Sequence, residues 1–504
     1  MIYEVSFGKR RFSLCCRYLF CAPSLGSTRQ DRGQVTTPSA ALRWLRDILL
    51  MPQPPLLYEE PVQVIGTCGG RCDVLNADMA KTFRAWSPEQ SLMFPPTPMD
   101  WVDKDDVVVF IRNLVTEELD LREILEEYQE ERGYPPFHPV MMTALLLYSY
   151  CQRIYSSRRI ATGCKQRVDF LALTGMQQPD HRTVNLFRKR HLKALSRLFE
   201  QVLQLCEKAG LVKLGHVAVD GTKIRANASK QKSMTYATMK KLEGRYKAEV
   251  EGWFAEAERI DREEDEWYGP EKSGDELPDW VSNKQERLKR IRQAKAELEA
   301  EAKAAAERAP DPHKTGHKAK PTGTPSDKQQ RNLTDAESRL MKSGDQFIQA
   351  YNAQVAVDGY RQVIVAQSLN NNGSDMHQMI PLLKQIRTNM GRQAKEVSAD
   401  SGYCSELNLR ALQKRHIRAY VATTLHRKRR KVGLWVQRMR QRLKQGARRS
   451  RYRLRKQIVE PVFGQIKQCR EFRQFLLRGE NNVAGEWSLL CTAHNLLKLA
   501  AARG

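Results

Sequence analysis

Three carboxylates stand where strand and helix grammar would not place them for stability. Asp220 closes the apolar run HVAV at 216–219, Asp400 closes VSA at 397–399, and Glu460 falls inside the apolar stretch IVEPVFGQI at 458–466. An acid among apolar neighbours is costly to bury unless something pairs with it, so the neighbours of Glu460 imply a side chain that faces protein. Three acids brought together repel one another, and hard divalent cations with oxygen ligands relieve that repulsion. Two such ions about 3.5–4 Å apart activate an attacking oxygen and stabilise a leaving oxygen in phosphoryl displacement. Taken singly, these acids also read as turn residues, since Asp220 precedes Gly221 and Asp400 precedes Ser401 and Gly402. Their coincidence with two strand ends and a late helix, on a strongly basic chain, favours the metal-binding reading.

The elements that would hold these acids follow from periodicity. Five runs are β-branched or alternating and are bounded by Gly, Asn or Asp: HVAVDGTKI from His216, FIQAYNAQVAVD from Phe347, QVIVAQSL from Gln362, QAKEVSAD from Gln393 and IRAYVATT from Ile417. Helical signals follow the fourth run (SELNLRALQKRH) and the fifth (KQIVEPVFGQIKQCREF, then EWSLLCTAHNLLKLAA). Three strands, then alternating helix and strand, then C-terminal helices pack naturally as an α/β fold, a mixed sheet with flanking helices. Asp220 and Asp400 would then lie at the C-terminal edges of strands near the middle of the sheet.

Residues 79–210 read as helical. Val107, Phe110, Ile111, Leu114, Leu121, Ile124 and Leu125 recur on one helix face, and after a Gly-Tyr-Pro-Pro turn at 133–136 a second helix opens at Pro139. Asp180 caps a basic helix that carries Arg182, Arg188, Lys189 and Arg190. A helix-turn-helix that docks on DNA has this pattern, and so does an ordinary basic helical bundle. Between the first two strands, residues 230–335 interrupt the sheet. Met239, Leu242, Tyr246, Val250, Trp253, Ala257 and Ile260 repeat at three and four, and a second charged helix holds Leu288, Ile291 and Leu298. This predicts a protruding antiparallel helical hairpin, acting as a solvated spacer, a DNA clamp or a dimer contact. The Pro-, Lys- and Gly-rich stretch from Ala309 to Leu333 that follows is expected to be disordered.

Length and charge bound the answer. At roughly 150 residues per domain, 504 residues suggest about three domains. Lys plus Arg number 84 against 58 acids, a net charge of +26, which points to a polyanionic partner. Lys414 to Lys456 contains eighteen Lys or Arg and no acid, including Arg427, Lys428, Arg429 and Arg430, so phosphate-backbone contact is its preferred reading over a mobile solvated run. Trp435 within it suits stacking on an unpaired base or plain packing. No run approaches the ~20 apolar residues of a bilayer span, and Lys9, Arg10, Arg11 and Arg17 interrupt any apolar region of a secretory signal. The eleven cysteines include no CxxC pair, which argues against a zinc site or disulfide framework and for a reducing cytosol. Five of them lie in the first 72 residues, a segment with no sustained helical or strand pattern.

The blocks VDGTKIRANAS around Asp220, AYNAQVAVD, VSADSGYCS around Asp400, RKQIVEPVFGQIK around Glu460 and EWSLLCTAHNLLKL resemble, in order, those of the DDE transposases of bacterial insertion sequences. The resemblance runs from about Met79 to the C-terminus. It implies a ribonuclease H-like mixed sheet, preceded over 79–210 by an α-helical DNA-end-binding domain. The catalytic domain would comprise 211–229 and 336–504, interrupted by the hairpin and linker of 230–335. Residues 1–78 would be a disordered extension or one wrongly included by an upstream start codon. The resemblance further implies that Asp220, Asp400 and Glu460 form a catalytic triad holding two Mg²⁺ (or Mn²⁺) ions. The reaction would be cleavage at terminal inverted repeats and attack of the freed 3′-OH on target DNA. Lys467, seven after Glu460, matches the lysine of the family's Tyr, Arg, Glu, Lys signature, and two helical turns put it on the same face. Lys456 stands where the signature has arginine, and Tyr452 falls one residue early. Lys467, Lys456, Arg427, Lys428, Arg429, Arg430, Arg182, Arg188 and Lys189 are the expected DNA contacts. Double-stranded DNA is the expected partner, bound by a homodimer in the bacterial cytoplasm with the nucleoid. The rival is a non-catalytic DNA-binding protein derived from a transposase, against which three intact acids count.

Overall fold

The structure, a computed structural model, describes residues 3–7, 10–14, 97–128, 136–268, 279–307, 323–423, 433–445 and 451–503. The chain divides into two units, Met1–Pro88 and Glu89–Gly504. In the first, β1 (Tyr3–Phe7) pairs antiparallel with β2 (Arg10–Leu14), Val5 opposite Phe12. This ladder departs from the expectation of no strand pattern before Met79. Tyr3, Val5 and Phe7 alternate with polar residues, a β-compatible pattern too brief to stand out among the flanking basic residues. Residues 15–96 lie outside the described residues, and with them most of the proposed extension.

The second unit opens with helices. Asp106 caps α1 (Val107–Asn113), its carboxylate accepting from Val108 N at 2.8 Å. There follow α2 (Arg122–Leu125), α3 (Pro139–Cys151), α4 (Ser157–Gln166), α5 (Val168–Thr174), α6 (His181–Arg190) and α7 (Leu192–Lys208). Every residue of α3 from Met142 to Cys151 is buried, so its unbroken apolar run is that of a core helix.

The sheet begins with β3 (His216–Arg225). Next come β4 (Ser233–Thr235), α8 (Tyr236–Tyr268), α9 (Asp279–Glu307) and β5 (Gln330–Asn332). The chain then returns through β6 (Arg339–Ser343), β7 (Gln346–Asp358), β8 (Ile364–Asn370), α10 (Met379–Met390), β9 (Glu396–Ala399), α11 (Glu406–Lys414) and β10 (Arg418–Val421). It ends with α12 (Leu434–Gln445), α13 (Leu454–Gly464) and α14 (Glu480–Ala500). The five expected strands are β3, β7, β8, β9 and β10. They form one sheet in the order β10-β9-β3-β7-β6, with β8 also on β7. β9 is parallel to β3 and β10, whereas β7 is antiparallel to β3, β6 and β8. β7 is long enough to pair with β6 through Gln346–Ala350 and with β8 from Asn352 onward. A single core joins this sheet to the N-terminal helices, and α14 threads it with Trp487, Leu490, Cys491 and Leu496 fully buried.

The helical hairpin is present and has a core of its own, made by Tyr236, Met239, Tyr246, Leu288, Ile291, Ala294 and Leu298. Its base is fixed by the β4–β5 ladder and by Arg331, paired with Glu297 and Glu301 at 2.9 Å each. Of the stretch expected to be disordered, residues 309–322 lie outside the described residues, whereas its end is ordered: Gln330–Asn332 forms β5 and Arg331 and Asn332 are buried, because they close the base of the hairpin.

Candidate active site

The sheet brings two of the three acids together. Parallel pairing of β3 with β9 sets Val219 opposite Ala399, so the next residues, Asp220 and Asp400, leave that ladder side by side. Asp400 follows the end of β9 as expected, but Asp220 lies mid-strand, because β3 continues to Arg225 in its pairing with β7. Burial pushes the Asp220 carboxyl up to about 6, with Asp400 adding to the rise and Arg455 opposing it. Burial also raises Asp400; the Gly402 amide, donating to its Oδ1 at 2.9 Å, opposes this, and the charge of Asp375 adds to it. The turn role of Asp400 and its place beside Asp220 are thus both real.

Glu460 sits differently from the expectation that it faces protein. Ile458, Val459 and Val462 turn inward from α13, and the helical rotation carries Glu460 outward, its side chain 51% exposed. Among the described residues no three His, Cys, Asp or Glu side chains converge closely enough to hold an ion. What joins Asp220 to Glu460 is a cation of the chain itself. Arg455 Nη1 lies 2.6 Å from Asp220 Oδ2, and Nη2 lies 3.6 Å from Glu460 Oε1. Sequence reasoning passed over Arg455 because Lys456 occupies the signature spacing; Lys456 is exposed. The missed signal was that Tyr452 and Arg455 both stand one residue before their signature positions, and Tyr452 hydrogen-bonds to Arg455.

Asp375 was also missed, since NNNGSD reads as a turn. Its Oδ1 accepts from Asn352 Nδ2 and Gln354 Nε2, both at 2.7 Å, and from Lys223 Nζ at 3.2 Å. Tyr403, fully buried, donates its hydroxyl to Gln354. Lys467 lies in the π-turn that continues α13 and donates to Thr222 Oγ1 and, at 3.1 Å, to the Lys223 carbonyl. Its ammonium is therefore turned onto β3, two residues from Asp220, and burial lowers its pKa.

Apart from Lys456 and Lys467, the expected DNA contacts separate into three groups. Arg182, Arg188 and Lys189 line an open cleft of about 790 Å³, together with Arg158 of α4 and Asn227 beyond β3, but of those three α6 residues only Arg182 and Lys189 are exposed. Arg188 is a correction. It shares the inward face of α6 with Val184 and Phe187, is 3% exposed, and donates to Tyr155 O at 3.0 Å and Asn185 Oδ1 at 3.1 Å. Arg427, Lys428, Arg429 and Arg430 lie outside the described residues. Elsewhere in the basic run several charges are used internally: Arg418 and Arg451 pair with Glu396 at 3.4 and 2.6 Å, and Arg442 donates to Ala419 O. Trp435 is half-buried against the core, with Arg438 5.0 Å from its ring centre.

No helix among the described residues is long and apolar enough to cross a membrane. The six described cysteines are free. A family model described as a transposase DDE domain matches residues 314–496, which include Asp375, Asp400, Arg455, Glu460 and Lys467. A second, a transposase domain (DUF772), matches residues 97–190, the helices that carry the cleft. Neither a curated protein nor a solved structure matches the chain. Two transposase models in series, on a mixed sheet that sets Asp220 beside Asp400, place the chain among the DDE transposases of the insertion-sequence type.

Proposed function

We propose that the protein cuts DNA at the terminal inverted repeats of its element and joins the freed 3′-OH ends to target DNA. Asp220, Asp400 and Glu460 would hold two divalent ions, Mg²⁺ or Mn²⁺, on a ribonuclease H-like sheet. The observation that carries this reading is the adjacency of Asp220 and Asp400 where the parallel ladder between β3 and β9 stops, with a cationic group already against Asp220. The donor set is all carboxylate oxygen, which suits a hard divalent cation. When bound, the ions would supply the charge that activates the attacking oxygen and stabilises the leaving one.

The chain's own groups do the rest. Burial keeps water from weakening the field of Asp220 and Asp400. Lys223 and Lys467, held on or against β3, supply positive charge where a phosphodiester would approach. Arg158, Arg182 and Lys189 offer phosphate contacts along the cleft, which fix the register of a duplex rather than read its sequence. A homodimer would present two such sites to the two ends. The test is Mg²⁺-dependent nicking of an end-containing duplex: Asp220→Ala should abolish it. Nicking that persists would refute the assignment, and absence of nicking in the unaltered protein would favour a DNA-binding protein without catalysis.

A further inference from the structure

We propose that Arg455 is a built-in counter-ion of the acid site, and that a divalent ion must displace it before Asp220 and Glu460 can serve as ligands. The inference rests on the metal-binding reading above and concerns what competes with the ion.

Asp220 and Glu460 come from different elements, β3 and α13, and Arg455 is the group that spans them. Its side chain is 12% exposed and that of Asp220 17% exposed, so this pair is poorly screened by solvent. A half-buried carboxylate needs a neighbouring cation, and here the guanidinium supplies it. A metal ion needs the same oxygen: Mg²⁺ sits about 2.0–2.1 Å from its carboxylate ligands, and a guanidinium nitrogen hydrogen-bonded to that oxygen would lie against it. Two cations on Asp220 Oδ2 would repel, so Arg455 and the ion are alternatives.

The position of Glu460 follows from the same competition. Arg455 and Glu460 are five residues apart on α13, a spacing that does not stack side chains as three or four would. Glu460 reaches the acid pair only through the arginine, and remains largely in solvent while the arginine is there. Replacing the guanidinium by an ion would exchange one cationic link between Asp220 and Glu460 for another. Buried Arg455 Nε has no hydrogen-bond partner, so the guanidinium is held at the site chiefly by its two Nη groups.

The test is Mn²⁺ binding to the full chain, read from the EPR signal of free Mn²⁺ at about pH 8, where the acids are ionised. Arg455→Gln should bind Mn²⁺ several-fold more tightly than the unaltered protein, and Arg455→Lys, which keeps the charge, should stay close to it. Equal or weaker binding by a folded Arg455→Gln would overturn the inference. Should that variant fail to fold, phenylglyoxal labelling of Arg455 in the unaltered protein, located by tandem mass spectrometry, decides the matter. Mn²⁺ should increase the labelling; unchanged or reduced labelling overturns the proposal. Asp220→Asn separates the two claims. If it leaves Mn²⁺ binding intact, the acid-site reading fails and the inference with it. If it weakens binding while Arg455→Gln does not tighten it, only the counter-ion role fails.

Discussion

The amide of Gln354 donates to Asp375 Oδ1 at 2.7 Å, and this bond sets a carboxylate from the β8–α10 connection over Gly221 and Gly402, the glycines that follow Asp220 and Asp400. A Cβ on Gly221 would lie 2.9 Å from Asp375 Oδ1 and would collide with Gln354 Nε2. A Cβ on Gly402 would lie 3.1 Å from Asp400 Oδ1 and 3.3 Å from Asp375 Oδ2. Gly221→Ala should therefore destabilise the fold by about 1–3 kcal/mol, the usual cost of overpacking, and Gly402→Ala by less. Urea unfolding of the two variants checks the order, and equal stability of both with the parent would show that Asp375 is not held against these glycines.

Asp375 also gathers three donors, so its loss should be felt beyond its own position. Asp375→Ala leaves Lys223, Asn352 and Gln354 without that acceptor, at a cost of about 1–3 kcal/mol. It also removes a negative charge that raises the Asp400 pKa. The carboxyl of Asp400 should then titrate lower than in the parent, which carboxyl-resolved NMR can measure; an unshifted titration would mean the two acids do not interact.

Asp400→Asn and Glu460→Gln should each abolish strand cleavage while nearly preserving binding to element ends. Each removes charge that would hold an ion but leaves the cleft's phosphate contacts in place. Paired nicking and gel-shift assays decide this, and a variant that still cleaves would remove its residue from the triad.

Two residues one apart on α6 should behave oppositely. Lys189→Ala, combined with Arg182→Ala, should reduce the slope of log K against log salt by about two, because each neutralised phosphate releases about one counterion. Arg188→Ala should act on folding instead. It strips partners from Tyr155 O and Asn185 and a compensating charge from fully buried Glu486, so about 3 kcal/mol or more of stability should be lost. Thermal melts and salt-dependent binding on the same three proteins separate these outcomes.

Acid should weaken the fold through His494. It is fully buried on α14, its Nε2 2.9 Å from the Gln362 carbonyl, and burial lowers its pKa from 6.5 to about 3. Below pH 6.5 the unfolded chain takes up a proton that the folded chain refuses, so stability falls as pH falls toward about 3, by up to about 1.4 kcal/mol per pH unit. Urea unfolding at about pH 7 and pH 5 should show a smaller loss in His494→Gln than in the parent. Equal losses in both proteins would assign the acid sensitivity to other groups.

The sequence by itself determined the strands, the helical hairpin and the family. β-Branched alternation bounded by turn residues is a local signal, and β3, β7, β8, β9 and β10 follow it; so does the seam Met239, Leu242, Tyr246. Asp220 and Asp400 could be singled out because each closes an apolar run in the sequence, and the register of β3 with β9 then sets them side by side, although β3 itself continues past Asp220 to Arg225. Direction around a helix and reach across the sheet are not local, and there the tertiary structure decided. Apolar neighbours could not say that Glu460 points outward while Val459 and Val462 point in, nor that Arg188 is buried on a basic helix whose Arg182 and Lys189 stay exposed. Arg455 and Asp375 belong to the site only because chain segments far apart in sequence meet over β3, the first at Asp220 and the second at Lys223. A charge acquires its partner from the packing of the whole chain, so spacing along α13 favoured Lys456 while distance through space selected Arg455.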